Sequence, residues 1–178
     1  MITIAPYDSA WPAMFEREAA RLRECLGAHA LRVEHVGSTS VPGLAAKPII
    51  DLQISVASLA VEVGACRELL ARAGYTHVDL GEFDRVYPYF KMPLEWPSTH
   101  HLHLCDAGGE QERRHLAFRD HLRRHPELAA EYLALKHRLA AEHVGDTPEA
   151  RDRYALAKTD FVEAALFRAY AEAGCASS

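Results

Sequence analysis

No apolar run in this chain approaches the roughly 20 residues that a bilayer-spanning helix needs, and neither end carries a lipidation signal. A helical membrane protein is not expected. The N-terminus lacks the apolar core of a secretion signal, and Cys25, Cys66, Cys105 and Cys175 are scattered with no Cys-x-x-Cys pair. That spacing argues against a disulfide scaffold or a clustered zinc ribbon, so reduced thiols in a cytoplasm are expected. Positive charge is not in excess: 20 Lys and Arg stand against 25 Asp and Glu, for a formal net charge of -5. General nucleic-acid binding, which needs a basic surface, is not expected either. Internal repeats and low-complexity tracts are missing, which argues against a solenoid or a linker.

What remains is a chain of 178 residues, 49% hydrophobic and 25% charged, long enough for one packed domain. Its periodicity divides it into a sheet core over about 1–108 and a helical cap over about 109–174. The fold class expected is α/β (α+β). Ile2-Thr3-Ile4 alternates like an edge strand. Asp8 or Ser9 can cap a helix starting near Trp11, in which Phe15, Ala19, Leu22 and Leu26 share a face and which Gly27 ends. Strands are expected over 31–36, 49–56, 86–92 and 101–105, a helix over 58–73 and a loop over 93–99.

A strand's period of two puts Ile50, Leu52, Ile54 and Val56 on one face and Asp51, Gln53 and Ser55 on the other. In the same way Val86, Pro88, Phe90 and Met92 oppose Tyr87, Tyr89 and Lys91, while Leu102 and Leu104 oppose His101, His103 and Cys105. Pro88 marks an edge or bulged strand. The cap is expected to hold helices over 110–124, from Pro126, and from Thr147-Pro148-Glu149, where a capping hydroxyl, a first-turn proline and an acid follow one another.

The densest chemical signal runs from His35 to Asp51: His-Val-Gly-Ser-Thr-Ser-Val-Pro-Gly-Leu-Ala-Ala-Lys-Pro-Ile-Ile-Asp. A strand that runs into Gly37-Ser38 lets backbone approach a phosphate closely, with N–H groups and the Ser38 hydroxyl as donors. It is neither a Walker A loop nor a dinucleotide fingerprint. Asp51 is a lone acid in an aliphatic strand and is costly there without a partner, which makes it a site candidate; pairing with Lys47 is the plainer explanation. His101 and His103 project to one face about 6–7 Å apart, near enough to converge on one ligand. Cys105 shares that face, where a small buried apolar role suits it better than ligation.

Together with Tyr7-Asp8 and Trp11, Lys47-Pro48, Ile50-Asp51, His100-His101-Leu102-His103, Phe118-Arg119-Asp120, Tyr132 with Lys136, and Tyr154 with Lys158, this run resembles the GrpB family over almost the whole chain. That family belongs to the nucleotidyltransferase-fold superfamily and is sometimes joined to dephospho-CoA kinase. The resemblance implies a mixed sheet covered by helices on one face and open to a ligand cleft on the other. It implies a nucleotide or related phosphate-containing small molecule as ligand, a link to CoA biosynthesis, and a divalent metal, Mg²⁺ by superfamily analogy with Mn²⁺ or Zn²⁺ as alternatives. In the superfamily a Gly-Ser turn holds the triphosphate, and carboxylates in an Asp-x-Asp pattern, with a third from a neighbouring strand, hold two Mg²⁺ ions for in-line attack.

This chain departs from that pattern. If Asp51 is the first acid of the pair the second position is Gln53; if it is the second, the first is Ile49. The neighbouring strand offers imidazoles in place of the third acid. The resulting candidates are Asp51 and His103 for catalysis, Asp51, His101 and His103 for metal, and Gly37, Ser38, Lys47, Lys91, Arg119 and Arg123 for phosphate. His115, Arg119 and Arg123 recur every four residues as a basic stripe, which pairing with Glu112 and Asp120 explains about as well. Three arrangements are expected: the first helix and the C-terminal helices on the aliphatic face, Lys91 with Arg119 or Arg123 in the cleft, and Asp51 and His103 within reach of one ion. The function expected is that of a nucleotidyltransferase-like protein acting on a nucleotide or related phosphate ligand; a noncatalytic nucleotide- or CoA-precursor-binding module and a metal-dependent phosphohydrolase are the alternatives.

Overall fold

A computed structural model describes residues 2–142 and 147–175. The stretch 143–146, which the helical-cap expectation spans, and the side chain of Cys175 lie outside the described residues. Helix α1 covers Trp11–Leu26, with proline in its first turn and Gly27 beyond its end, and it buries Phe15, Ala19, Leu22 and Leu26 as their spacing requires. Asp8 accepts the Ala10 N–H just before the helix begins. Strands β1 Arg32–Val36 and β2 Ile50–Val56 follow, then helix α2 Leu59–Arg72, strand β3 Thr76–Val78, strand β4 Tyr89–Met92 and strand β5 His100–Asp106. They form a single five-stranded sheet in the order β1-β2-β5-β4-β3, antiparallel except for the parallel β2–β5 pair.

Helices α1 and α2 bury the aliphatic face. Trp11, Phe15, Leu22, Cys66 and Leu70 pack against Ile50, Leu52, Ile54, Leu102 and Leu104, all nearly or fully buried. The cap consists of α3 Glu110–Arg124, α4 Pro126–Glu142, α5 Pro148–Leu156 and α6 Thr159–Cys175. Thr147 Oγ1 accepts the Ala150 N–H at 3.3 Å and so caps α5 as its sequence predicts. No helix among the described residues is long and apolar enough to cross a membrane.

Three local expectations are corrected. Residues 2–4 form no strand; the N-terminal segment makes one isolated bridge, Ala5 to Ala46, while Ile2 packs with Leu139 and Tyr154. The strand expected over 86–92 begins only at Tyr89, because Pro88 has no N–H to donate and Val86 is left exposed after a short turn of 3-10 helix over Gly81–Arg85. Strand β3 was not anticipated, since Thr-His-Val offers too short and polar a pattern to read.

The largest difference concerns the cap, whose C-terminal helices do not join α1 on the aliphatic face. Helix α3 lies over the polar face and is pinned there by Glu112. This carboxylate is 3% exposed, takes Arg32 through two hydrogen bonds of 2.7 and 2.6 Å, and also accepts from Ser55 Oγ and the Gly108 N–H. The polar faces of β1 and β2 supply partners that the aliphatic face lacks. A second apolar cluster of Val41, Leu44, Leu122, Leu128, Tyr132 and Ala165 then closes the cap over the segment after the Gly-Ser turn.

Burial works to raise the Glu112 pKa, but hydrogen bonds from Ser55, Arg32 and Gly108 outweigh it and hold the group below the ordinary glutamate value of 4.5. A depressed folded value means stability that is present above about pH 4.5 and lost as pH falls through the folded value. Glu112→Ala is expected to lower stability at pH 7 by about 2–4 kcal/mol, because it strands Ser55 and Gly108 and leaves Arg32 without its partner. Urea unfolding at pH 7 and pH 4 checks both statements: a deficit that fails to shrink in acid counts against this role.

Candidate functional site

The site begins where β1 ends. Gly37 has φ +68°, and a Cβ built on it would lie 2.2 Å from Asp51 Oδ2. Glycine is therefore required twice over, by the backbone and by the carboxylate packed against it. The β1–β2 register brings this about by setting Val36 across from Asp51. Residues Ser38–Ser40 then make a turn of 3-10 helix that is braced on all sides. Ser40 Oγ donates to the Gly37 carbonyl at 2.6 Å, Thr39 Oγ1 to that of Ile49 at 3.2 Å, and Arg123 forks onto the Ser40 carbonyl at 3.1 and 2.8 Å. Arg119 binds Glu34 at 2.8 Å, Asp120 at 2.7 Å and the His35 carbonyl at 3.0 Å. The two arginines thus act on the site through the backbone and side chains they hold.

Across the sheet, one row of partners reads Val36, Asp51, His101 and Lys91, and the next reads Glu34, Gln53, His103 and Tyr89. His101, rather than His103, stands directly beside Asp51, with Nδ1 3.3 Å from Oδ1; the two side chains are 20% and 27% exposed. Burial works to raise the Asp51 pKa, yet hydrogen bonding to His101 and the charges of His101, His103 and Lys158 hold it below its ordinary value. The acid is therefore ionised at neutral pH.

His103 lies in an aromatic layer beneath α3. Its ring stacks on Tyr87 at 4.5 Å and on Tyr89 at 4.8 Å, with His115 5.6 Å away, and burial pushes its pKa down to about 4. Without a ligand, His103 is therefore uncharged at neutral pH. Four polar atoms on this face are buried without a hydrogen-bond partner: both amide atoms of Gln53, His101 Nε2 and His103 Nδ1. Unmatched donors and acceptors gathered on one face are what a polar ligand or ordered water would satisfy.

Cations close the other side. The Lys47 and Lys158 ammoniums lie 4.4 and 4.5 Å from the centre of the Tyr154 ring, and Lys136 is 5.1 Å from that of Tyr132. Lys136 is 2% exposed and donates to the Ala45 carbonyl. Burial, with the neighbouring lysines adding repulsion, pushes Lys136 down to about 7 and Lys158 to about 8. Lys91, across from His101, lies half-buried over Tyr89 at 5.4 Å with its pKa lowered by burial. Tyr132, Lys158 and Arg114 line a cavity of about 340 Å³. The sequence left Lys158, at helical spacing from Tyr154, open between reaching an anionic ligand and pairing, and gave Lys136 no role. The signal available for them was a four-residue spacing from a tyrosine, Tyr132 on α4 for Lys136 and Tyr154 on α5 for Lys158, which lies in the turn between α5 and α6.

The structure thus brings Gly37, Ser38, Asp51, His101, Lys47 and Lys91 to one side of the sheet and sets His103 a row away. Among the described residues, the group of three whose ligating atoms lie within 4.8 Å of one another is His121, His125 and Glu172, not Asp51, His101 and His103.

The model of the GrpB protein family matches residues 1–168. The chain belongs to the GrpB family. It is 36% identical to the UPF0157 protein YqkA of Bacillus subtilis over 92% of its own length, and spans 46% of that relative. It is 32% identical to a dephospho-CoA kinase of Mycolicibacterium paratuberculosis, matching 95% of this chain and 46% of the kinase. The crystal structure of the conserved protein GrpB from Enterococcus faecalis superposes with a TM-score of 0.77 at 37% identity, covering 94% of this chain and 99% of that one. The Cid1 poly(U) polymerase bound to MgATP superposes at TM-score 0.54 and 15% identity, over 80% of this chain and 46% of that one, which extends the likeness to the nucleotidyltransferase-like fold alone.

Proposed function

We propose that this GrpB chain binds a nucleotide or related phosphate-bearing metabolite between the Gly37-Ser38 turn and the Lys47–Lys158 pair, with Asp51 and His101 at the sheet end of the cleft. The observation that carries this reading is the pair of ammoniums on one tyrosine ring beside a single carboxylate. The charge of Lys47 lowers the Lys158 pKa, and an anion near both would offset that repulsion. A divalent ion would find Asp51 Oδ1 and His101 Nδ1 as donors on adjoining strands. One carboxylate and one imidazole suit Mn²⁺ or Zn²⁺ better than the pair of Mg²⁺ ions used in two-metal transfer. When bound, the ion would neutralise phosphate charge.

The single acid favours a binding module over a transferase, and the kinase relative makes CoA precursors worth testing beside nucleoside triphosphates. Thiols free at Cys25, Cys66 and Cys105 agree with a cytoplasmic ligand. Thermal shift with each ligand class and with Mg²⁺, Mn²⁺ or Zn²⁺ tests the proposal; metal-dependent pyrophosphate release would instead establish nucleotidyl transfer.

Lys158→Met is expected to weaken phosphate-ligand binding at least tenfold without unfolding the chain. A group with a folded pKa of about 8 is charged below that value and neutral above it. Affinity in the native chain should therefore fall about tenfold between pH 7 and pH 9, with proton uptake on binding at pH 8. Titration calorimetry in buffers of different ionisation enthalpy reads both, and equal affinity at the two pH values would remove Lys158 from the site.

A further inference from the structure

We infer that His121, His125 and Glu172 form a second site, away from the cleft, that takes one borderline transition-metal ion of the Zn²⁺ kind. The two histidines stand four residues apart on α3, at its last turn and its C-cap, and Glu172 reaches them from α6. One carboxylate oxygen, Oε2, faces both imidazoles, 3.4 Å from His121 Nδ1 and 3.2 Å from His125 Nε2. Ligands about 2.0–2.1 Å from a tetrahedral zinc lie roughly 3.3–3.4 Å from one another. The observed spacings already match the edges of such a polyhedron, and the three ligating atoms lie within 4.8 Å of each other.

A simple ion pair explains less. It would engage one imidazole, whereas here a single oxygen meets two rings whose centroids are 4.3 Å apart. His121 is 2% exposed, and its Nδ1, though 3.4 Å from the shared oxygen, makes no hydrogen bond. A metal would satisfy it. The other nitrogen of His125, Nδ1, lies 3.1 Å from Glu127 Oε1, the carboxylate–histidine arrangement that orients an imidazole for ligation. Arg124 and Arg168 bear on His121 as well. Glu172 and Glu127 offset the repulsion of a dication by these two arginines.

Two imidazoles and a carboxylate leave a fourth position for water or a ligand, and the ion would tie α6 to the end of α3. Titration of the full chain with Co²⁺, followed by its visible d–d absorption, and competition with Zn²⁺ are the direct test. Apart from any ion taken by Asp51 and His101 in the cleft, we expect one saturable ion per chain with tetrahedral band intensity, displaced by Zn²⁺, and a Tm raised by about 5 °C or more at a hundredfold excess over Kd. His125→Gln and Glu172→Gln, at partly exposed positions, should each weaken the ion at least tenfold. Asp51→Asn should not. No saturable binding, equal affinity in both glutamine variants, or loss of the ion in Asp51→Asn instead would each overturn the assignment.

Discussion

Gly37→Ala is expected to lower folding stability by about 2–4 kcal/mol and to abolish phosphate-ligand binding at the adjoining turn. At φ +68° and ψ −174° any Cβ carries a backbone cost of about 1–3 kcal/mol. The second cost is contact: the new methyl would sit 2.2 Å from Asp51 Oδ2 and 2.8 Å from its Cγ, so the carboxylate or the turn must move. The turn resists, because Ser40, Thr39 and Arg123 each hold it through a hydrogen bond. The carboxylate resists through His101. Gly43 provides the control. Its φ is +78°, yet nothing lies within 4 Å of its Cβ position, so Gly43→Ala should show the backbone cost alone. Urea unfolding of the two variants separates the contributions. If both lose the same stability, the close packing of Asp51 under Gly37 has no energetic weight.

That contact also marks how far local rules reach. Gly37, Ser38 and Asp51 could be read from the chain because each obeys a short-range requirement: glycine where backbone must turn and approach, and an acid interrupting an alternating strand. The alternation likewise separated Leu52 and Ile54 from Gln53 and Ser55, and α1 and α2 cover the face so identified. Register is different. Whether Asp51 meets His101 or His103 depends on how β2 and β5 align after some fifty intervening residues, and both histidines satisfy the same period of two. The side taken by the cap was hidden for a related reason. An amphipathic α3 shows that it must be covered, and long-range partners decide where, among them Glu112 with Arg32 eighty positions earlier and Arg119 with Glu34. Lys136 and Lys158 read as ordinary helical lysines until tertiary packing buries one and crowds the other against Lys47.

Asp51→Asn should separate the metal-assisted part of ligand binding from the rest. In the native chain the ionised carboxylate has two opposed effects on an anionic ligand, since it repels the ligand directly and attracts any ion that bridges to it. Asparagine keeps the shape and removes both. With Mn²⁺ present, nucleotide affinity of the native chain should exceed its metal-free affinity at least tenfold, and in Asp51→Asn that ratio should fall to about one. Without metal, the variant should bind the same nucleotide about three- to tenfold more tightly, because a unit charge roughly 8 Å from phosphate at an effective dielectric near 20 is worth about 2 kcal/mol before salt screening. The cost to the fold should be small. Asp51 is a quarter exposed, and its lowered pKa contributes stability that is present above about pH 3.8 and disappears as pH falls through the folded value. The variant should therefore lose about 1 kcal/mol or less at pH 7 and nothing at pH 2. Calorimetric titration of nucleotide with and without Mn²⁺ reads the two effects independently, and their opposite signs guard against a general loss of structure. A metal ratio that survives the substitution would move the ion away from Asp51, and weaker metal-free binding would mean that the carboxylate contacts the ligand's donors rather than opposing its charge.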